Sequence, residues 1–200
     1  MNRLLIAFLS LAVVLSAVPG GYAGFDYAHR YHKRQGSAFA LKNRQDSSTA
    51  AASGSTGTSQ SDIDQYLNDQ NSVRAQHGAV PLTWNNTLAA AAQDWANGCV
   101  FQHSGGKLGP YGENLAAGTG SSYGINAAMS SWTDEESQYD PNNPQASHYT
   151  QVVWKATTQV GCAMQECNGI FPPEYGTAQY YVCEYYPQGN VIGEFSENVQ

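Results

Sequence analysis

The segment Ser147-His148-Tyr149-Thr150-Gln151-Val152-Val153-Trp154-Lys155-Ala156-Thr157-Thr158-Gln159 constrains this chain more than any other stretch. Its Val152-Val153-Trp154 run is β-branched and aromatic, the composition of a buried strand, and predicts a strand over Tyr149–Lys155. A polar His148 at the mouth of such a strand faces a cleft while the strand behind it keeps the backbone rigid. Further strands are predicted at Gln159–Gln165 and Gln179–Tyr186, with Lys155-Ala156-Thr157-Thr158 as a hairpin-length connection.

Helical patterns come earlier in the chain. Ser61-Asp62 reads as an N-cap, followed by Ile63, Tyr66, Leu67 and Val73 on one face and Gly78 as a stop. Leu88, Ala91, Ala92 and Trp95 predict a second helix over Leu88–Asn97, ended by Gly98. Ile125, Ala128, Met129 and Trp132 make a third stripe that runs into Asp134-Glu135-Glu136. Helices first and strands last argue for an α+β domain.

The N-terminal part reads differently. Arg3 and the apolar run from Leu4 to Leu15 form a secretory leader, too short to span a bilayer, ending near residue 23. Residues 24–34 read as a propeptide closing on the dibasic Lys33-Arg34. Residues 35–60 form a Ser/Thr-rich linker without the apolar residues needed to offset ordering entropy. The folded domain is then 61–200, and no second spanning segment follows the leader, so the product is expected to be exported and extracellular. Asn85-Asn86-Thr87 is a glycosylation sequon at Asn85. From residue 35 onward five bases face fifteen acids, a net charge of −10. Phosphate contacts need clustered Lys and Arg, so nucleic acid is excluded as a partner class.

Four cysteines, Cys99, Cys162, Cys167 and Cys183, all fall in the folded part. An even count in an oxidising compartment favours two disulfides over a metal site, and spacing leaves three pairings open. Cys162 and Cys183 sit in two predicted strands that could neighbour each other, which favours Cys162–Cys183 and leaves Cys99–Cys167.

Three segments, His103-Ser104-Gly105-Gly106 with Gly112-Glu113-Asn114-Leu115-Ala116, His148 to Trp154, and Cys183-Glu184-Tyr185-Tyr186-Pro187-Gln188-Gly189-Asn190, occur in this order. Together they resemble the CAP superfamily of cysteine-rich secretory proteins, antigen five and group-one pathogenesis-related proteins, over about Ile63 to Asn198. Two positions depart from the commonest pattern: Ser147 stands where Gly usually precedes the His, and Glu184 where Asn or Ser often follows the Cys. The resemblance implies an α-β-α sandwich around a central antiparallel sheet, and the same disulfide pairing. The processing site, the Ser/Thr-rich linker and the motif spacing look fungal, similar to the Pry-like sterol-binding type.

The resemblance also carries over four residues: His103, Glu113, His148 and, by its spacing from Trp132, Glu135. Two imidazoles with two carboxylates suit a divalent cation such as zinc, the His residues ligating and the Glu residues ligating or orienting them. The same four also suit mutual bracing by hydrogen bonds. The loop between Glu135 and His148 corresponds to one implicated in sterol contact, and Tyr139 is its single aromatic. The expected function is a secreted, monomeric binder of a small apolar ligand, a sterol or fatty acid, serving lipid export or contact with host extracellular components. The alternative is a metal-assisted hydrolase of peptides or esters using the same His and Glu residues. No Gly-x-Ser-x-Gly elbow occurs, so that alternative rests on analogy.

Overall fold

The computed structural model describes residues 57–200 and the backbone of a short strand, β1 (Ile6–Phe8). The expected propeptide, the dibasic pair and most of the expected leader and linker lie outside the described residues.

Helix α1 (Gln60–Gln76) is capped two residues earlier than the predicted Ser61. Ser59 is its N-cap and accepts from the Asp62 backbone N–H at 3.2 Å. Strand β2 (Thr83–Trp84) leads into α2 (Asn86–Ala96), capped by the sequon residue Asn85. Next come β3 (Gly112–Thr119) and α3 (Ile125–Thr133), then a 3-10 turn over Asp134–Gln138. The short α4 (His148–Val153), β4 (Gln159–Cys167), β5 (Ala178–Tyr186) and α5 (Phe195–Asn198) complete the domain.

The sheet order is β1-β3-β5-β4-β2, antiparallel throughout except that β2 runs parallel to β4. Alternation along β5 divides the core in two. Tyr181, Cys183 and Tyr185 face a cluster with Met129, Trp132, Val152 and Trp154, which belongs to the α1, α3 and α4 layer. Tyr180 and Val182 face Ala92 and Ala96 of α2 on the other side. This is the α-β-α sandwich with a mixed sheet. Helix α2 lies close because Gly161 has no side chain: a Cβ there would collide with the α2 backbone at Ala89. The disulfides are Cys99–Cys167 and Cys162–Cys183, the latter joining directly opposed residues of β4 and β5. Among the described residues, no helix is long and apolar enough to cross a membrane.

One predicted strand is a helix. Tyr149–Lys155 falls largely on α4, and Lys155–Thr158 joins a helix to β4 rather than two strands. Six residues with two adjacent valines are poor helix formers, and so short a helix does not hold by itself. Its ends are satisfied from outside. Ser147 and Thr150 form a reciprocal capping box, and the Glu135 carboxylate accepts from the N–H groups of His148 (2.8 Å) and Tyr149 (3.3 Å). Asn190, in the left-handed region at φ 57°, donates to the Ser147 carbonyl (3.0 Å) and accepts from the Thr150 hydroxyl (2.6 Å).

The other end is held by Arg74, fully buried on α1. Its guanidinium donates to the carbonyls of Val152 (2.7 Å), Trp154 (2.9 Å), Thr157 (2.7 Å) and Val80 (2.9 Å). Burial lowers its pKa to about 10, which leaves it charged at neutral pH. The predicted stripe does face the core, with Tyr66 buried and Leu67 and Val73 half-buried against it, but the two polar side chains Gln70 and Arg74 are buried beside Tyr66 as well.

Candidate functional site

His148 opens α4 and is 3% exposed. Its ring stacks on Trp132, centroids 6.1 Å apart, and the Trp132 indole is itself fixed by donating to the Leu115 carbonyl at 3.0 Å. His148 Nδ1 lies 2.7 Å from Glu135 Oε1. Burial pushes the Glu135 carboxyl up, but hydrogen bonds from the His148 ring and from the Tyr149 and His148 backbones outweigh it and hold the pKa below the usual range. An ionised carboxylate only accepts, so Nδ1 carries the proton. In the neutral ring this leaves a lone pair on Nε2, which is buried without a hydrogen-bond partner among the described residues.

His103 forms the second pair, with Nδ1 2.6 Å from Glu113 Oε1, which also accepts from the Ser104 backbone N–H at 2.9 Å. Glu113 stands on β3 directly opposite Glu184 on β5, both on the α2 face of the sheet. Glu184 is 1% exposed. Burial first, and the Glu113 charge second, push its pKa up to about 10, so it is neutral at physiological pH. Were both carboxyls ionised, Glu113 Oε2 and Glu184 Oε1 would be buried with no donor among the described residues. A protonated Glu184 removes that conflict by donating to Glu113. For Glu113, burial raises the pKa, while bonds from His103, Glu184 and Ser104 lower it further than burial raises it. The result is a chain of neutral carboxyl, carboxylate and imidazole.

Strand β3 ties the two pairs together. Glu113 and Asn114 are consecutive and point to opposite faces. Glu113 holds His103, while Asn114 Nδ2 donates to the His148 carbonyl at 3.1 Å. Gly112 just before them leaves room for the buried Gln151 of α4, which a Cβ would strike. The four residues form two His–Glu pairs, and among the described residues no three His, Cys, Asp or Glu side chains gather to enclose a metal. Both Glu residues are engaged with Nδ1 and backbone donors, so a cation would find imidazole Nε2 atoms as its protein ligands and water for the remainder.

The other sequence-predicted residues lie elsewhere. Tyr139 packs on Tyr149, ring centroids 6.0 Å apart. Asn85 caps α2 and donates through Nδ2 to Gln159 at 2.6 Å. No hydroxyl or thiol among the described residues hydrogen-bonds either site imidazole, whose ring bonds are to Glu113 and Glu135. Sequence reasoning missed Glu184, although it stood out as a departure from the commonest motif, and missed Arg74 altogether.

The two kinds of carboxyl act on stability with opposite sign. Glu113 and Glu135, with depressed pKa values, stabilise above pH about 4.5 and lose that contribution as the pH falls. Glu184, with a raised pKa, contributes fully below pH about 4.5, and its contribution is lost as the pH rises toward about 10. Glu184→Gln keeps a donor for Glu113 and cannot ionise. We expect it to raise Tm by about 5 °C at pH 8 and by little at pH 4.5. Thermal melts across pH check this, and an equal effect at both pH values would contradict a neutral Glu184.

Comparison with known proteins follows the same lines. The profile of the CAP, cysteine-rich secretory protein, family matches residues 67–185. Fruiting body protein SC7 of Schizophyllum commune is 44% identical over 142 residues, covering 66% of this chain and 67% of SC7. Protein PRY2 of Saccharomyces cerevisiae is also 44% identical over 142 residues, but that match spans only 39% of its length. Among solved structures, NaASP2, crystallised with Zn2+, superposes with a TM-score of 0.56 at 22% identity, covering 68% of this chain and 85% of that one, which is a likeness of fold. The matched segment, the two disulfides and the sandwich agree: this chain belongs to the cysteine-rich secretory protein (CAP) family.

Proposed function

We propose that this chain works outside the cell as a monomeric, non-enzymatic carrier of a small amphipathic lipid, a sterol or fatty acid, in lipid export or in contact with a host. The observation that carries the reading is a cavity of about 410 Å³ between α1 and the start of α3. Tyr66, Ile125, Ala127, Met164 and Tyr181 supply its apolar wall, and polar residues including Asp62, Gln65 and Asn126 supply about as much again. Small-molecule sites commonly measure about 300–1,000 Å³, with apolar walls and a few polar groups. Two disulfides suit an oxidising compartment, and the N-terminal apolar run suits export through it.

In the same reading, a divalent cation such as zinc is held through Nε2 of His103 and His148, with Glu113 and Glu135 orienting the rings from behind. The unpartnered Nε2 of His148 supports it. Such a cation would supply positive charge and ordered water at the cleft. The rings need no metal to be held, since Nδ1 of each is already bonded to a carboxylate.

Two measurements test the parts separately. Protein purified from culture medium, extracted with organic solvent and analysed by mass spectrometry, should yield a lipid in near-stoichiometric amount. A clean extract, together with no uptake of added sterol or fatty acid, would reject the carrier reading. Zinc at a hundred times its Kd should stabilise the wild type by about 2.7 kcal/mol, and this gain should vanish in the His103→Ala/His148→Ala double variant. An identical response in both proteins would remove the cation from these residues.

A further inference from the structure

The two disulfides sit in different surroundings. Cys162 and Cys183 are both 0% exposed, and Gln70 of α1 reaches them, with its Nε2 4.0 Å from the Cys162 sulfur. A reagent meets that bridge only when the domain opens. Cys99–Cys167 instead joins the loop just after α2 to the last residue of β4. Cys167 is 1% exposed, whereas Cys99 is half-buried and keeps part of its surface in solvent. Access to this bridge is therefore one-sided and leads to Cys99.

Backbone geometry and hydrogen bonding both favour opening there. Cys99 has φ 52°, in the left-handed region where an L side chain crowds the backbone. The bridge helps to hold it in that conformation, so breaking the bridge lets the strain relax. Each sulfur of the pair also has an acceptor for a thiol proton in place. Cys99 Sγ lies 4.0 Å from the Glu166 carbonyl oxygen, and Cys167 Sγ lies 3.8 Å from that of Ala96. Among the described residues neither Cys162 nor Cys183 has a carbonyl so placed, and the contact of the Cys162 sulfur is to an amide donor. Neighbouring contacts keep the opening local. Trp95 Nε1 donates to the Gln102 carbonyl at 2.8 Å, and Phe101 packs edge-on against Tyr180 with ring centroids 5.7 Å apart. They anchor the loop between Cys99 and His103, so the His103–Glu113 pair is kept.

We propose that Cys99 is a thiol-exchange site, where a small thiol from the surroundings forms a mixed disulfide while the domain stays folded. The incoming thiolate attacks the Cys99 sulfur, the Cys99–Cys167 bond breaks, and Cys167 leaves with the electron pair and takes up a proton. A monothiol stops at this adduct, which the Cys167 thiol reverses by attacking Cys99 again. A dithiol goes further. Its second thiolate attacks its own sulfur in the adduct, closes a disulfide within the reagent and releases Cys99 as a thiol, so that two electrons pass to the bridge. Cys162–Cys183 and the sheet around it take no part.

The experiment is partial reduction of the native protein, purified from culture medium, with dithiothreitol in one arm and reduced glutathione in the other. Samples taken over time are quenched with acid, unfolded, labelled with N-ethylmaleimide and mapped by mass spectrometry, which reads buried and exposed thiols alike. With dithiothreitol, Cys99 and Cys167 should gain label about tenfold or more faster than Cys162 and Cys183, while the near-ultraviolet circular dichroism of the folded domain is retained. With glutathione, the adduct should map to Cys99 and the free thiol to Cys167. Equal opening of the two bridges, or earlier opening of Cys162–Cys183, would overturn the inference. An adduct on Cys167 in place of Cys99 would do the same, as would a Cys99–Cys167 bridge that resists both reagents until the domain unfolds.

Discussion

A single buried guanidinium organises the helical layer that carries the site. Arg74 reaches from α1 to the end of α4, to the turn beyond it and to the segment that follows α1, donating to four backbone carbonyls. No carboxylate pairs with it among the described residues, so carbonyl dipoles alone offset a desolvation cost of several kcal/mol. This makes Arg74 hard to exchange. A neutral side chain would strand four carbonyls, and a lysine would bring a point charge where a planar fork is needed.

With that end of α4 fixed, Glu135 and Asn190 hold the other. Glu135 then has two tasks, accepting from the first backbone N–H groups of α4 and orienting the His148 ring. The second histidine depends on the sheet. Glu113 is held ionised on β3 by bonds from His103, from Glu184 across on β5, which gives up its own charge, and from Ser104. Both imidazoles are thus oriented through Nδ1 by carboxylates whose ionisation is fixed by neighbours. Both rings are held in place by the protein's own contacts.

Much of this was legible in the sequence. Amphipathic spacing located α2 and α3 to within about two residues, and strand adjacency favoured the disulfide pairing that the fold contains. What failed did so for physical reasons. Val152-Val153-Trp154 carries strand propensity, and contacts from Glu135 and Arg74, distant in sequence, override it. The Ser147-x-x-Thr150 capping box was the local signal that a helix starts there. Strand β3, built of Gly, Glu, Ala and Asn around Leu115, lacks β-branched residues until its last position, and sequence reasoning placed no strand there. On α1 the apolar stripe was readable, but the burial of Gln70 and Arg74 beside it was not, because their burial is stabilised by hydrogen bonds to distant elements rather than by apolar area.

The claim on which the rest stands is that α4 is a helix because other elements hold its ends. Amide hydrogen exchange resolved over residues 148–158, comparing the wild type with Arg74→Lys, tests it directly. The account predicts that amides toward the end of α4 exchange at least tenfold faster in the variant, while those of β4 and β5 keep their protection. Protection of α4 equal to that of the wild type would contradict it.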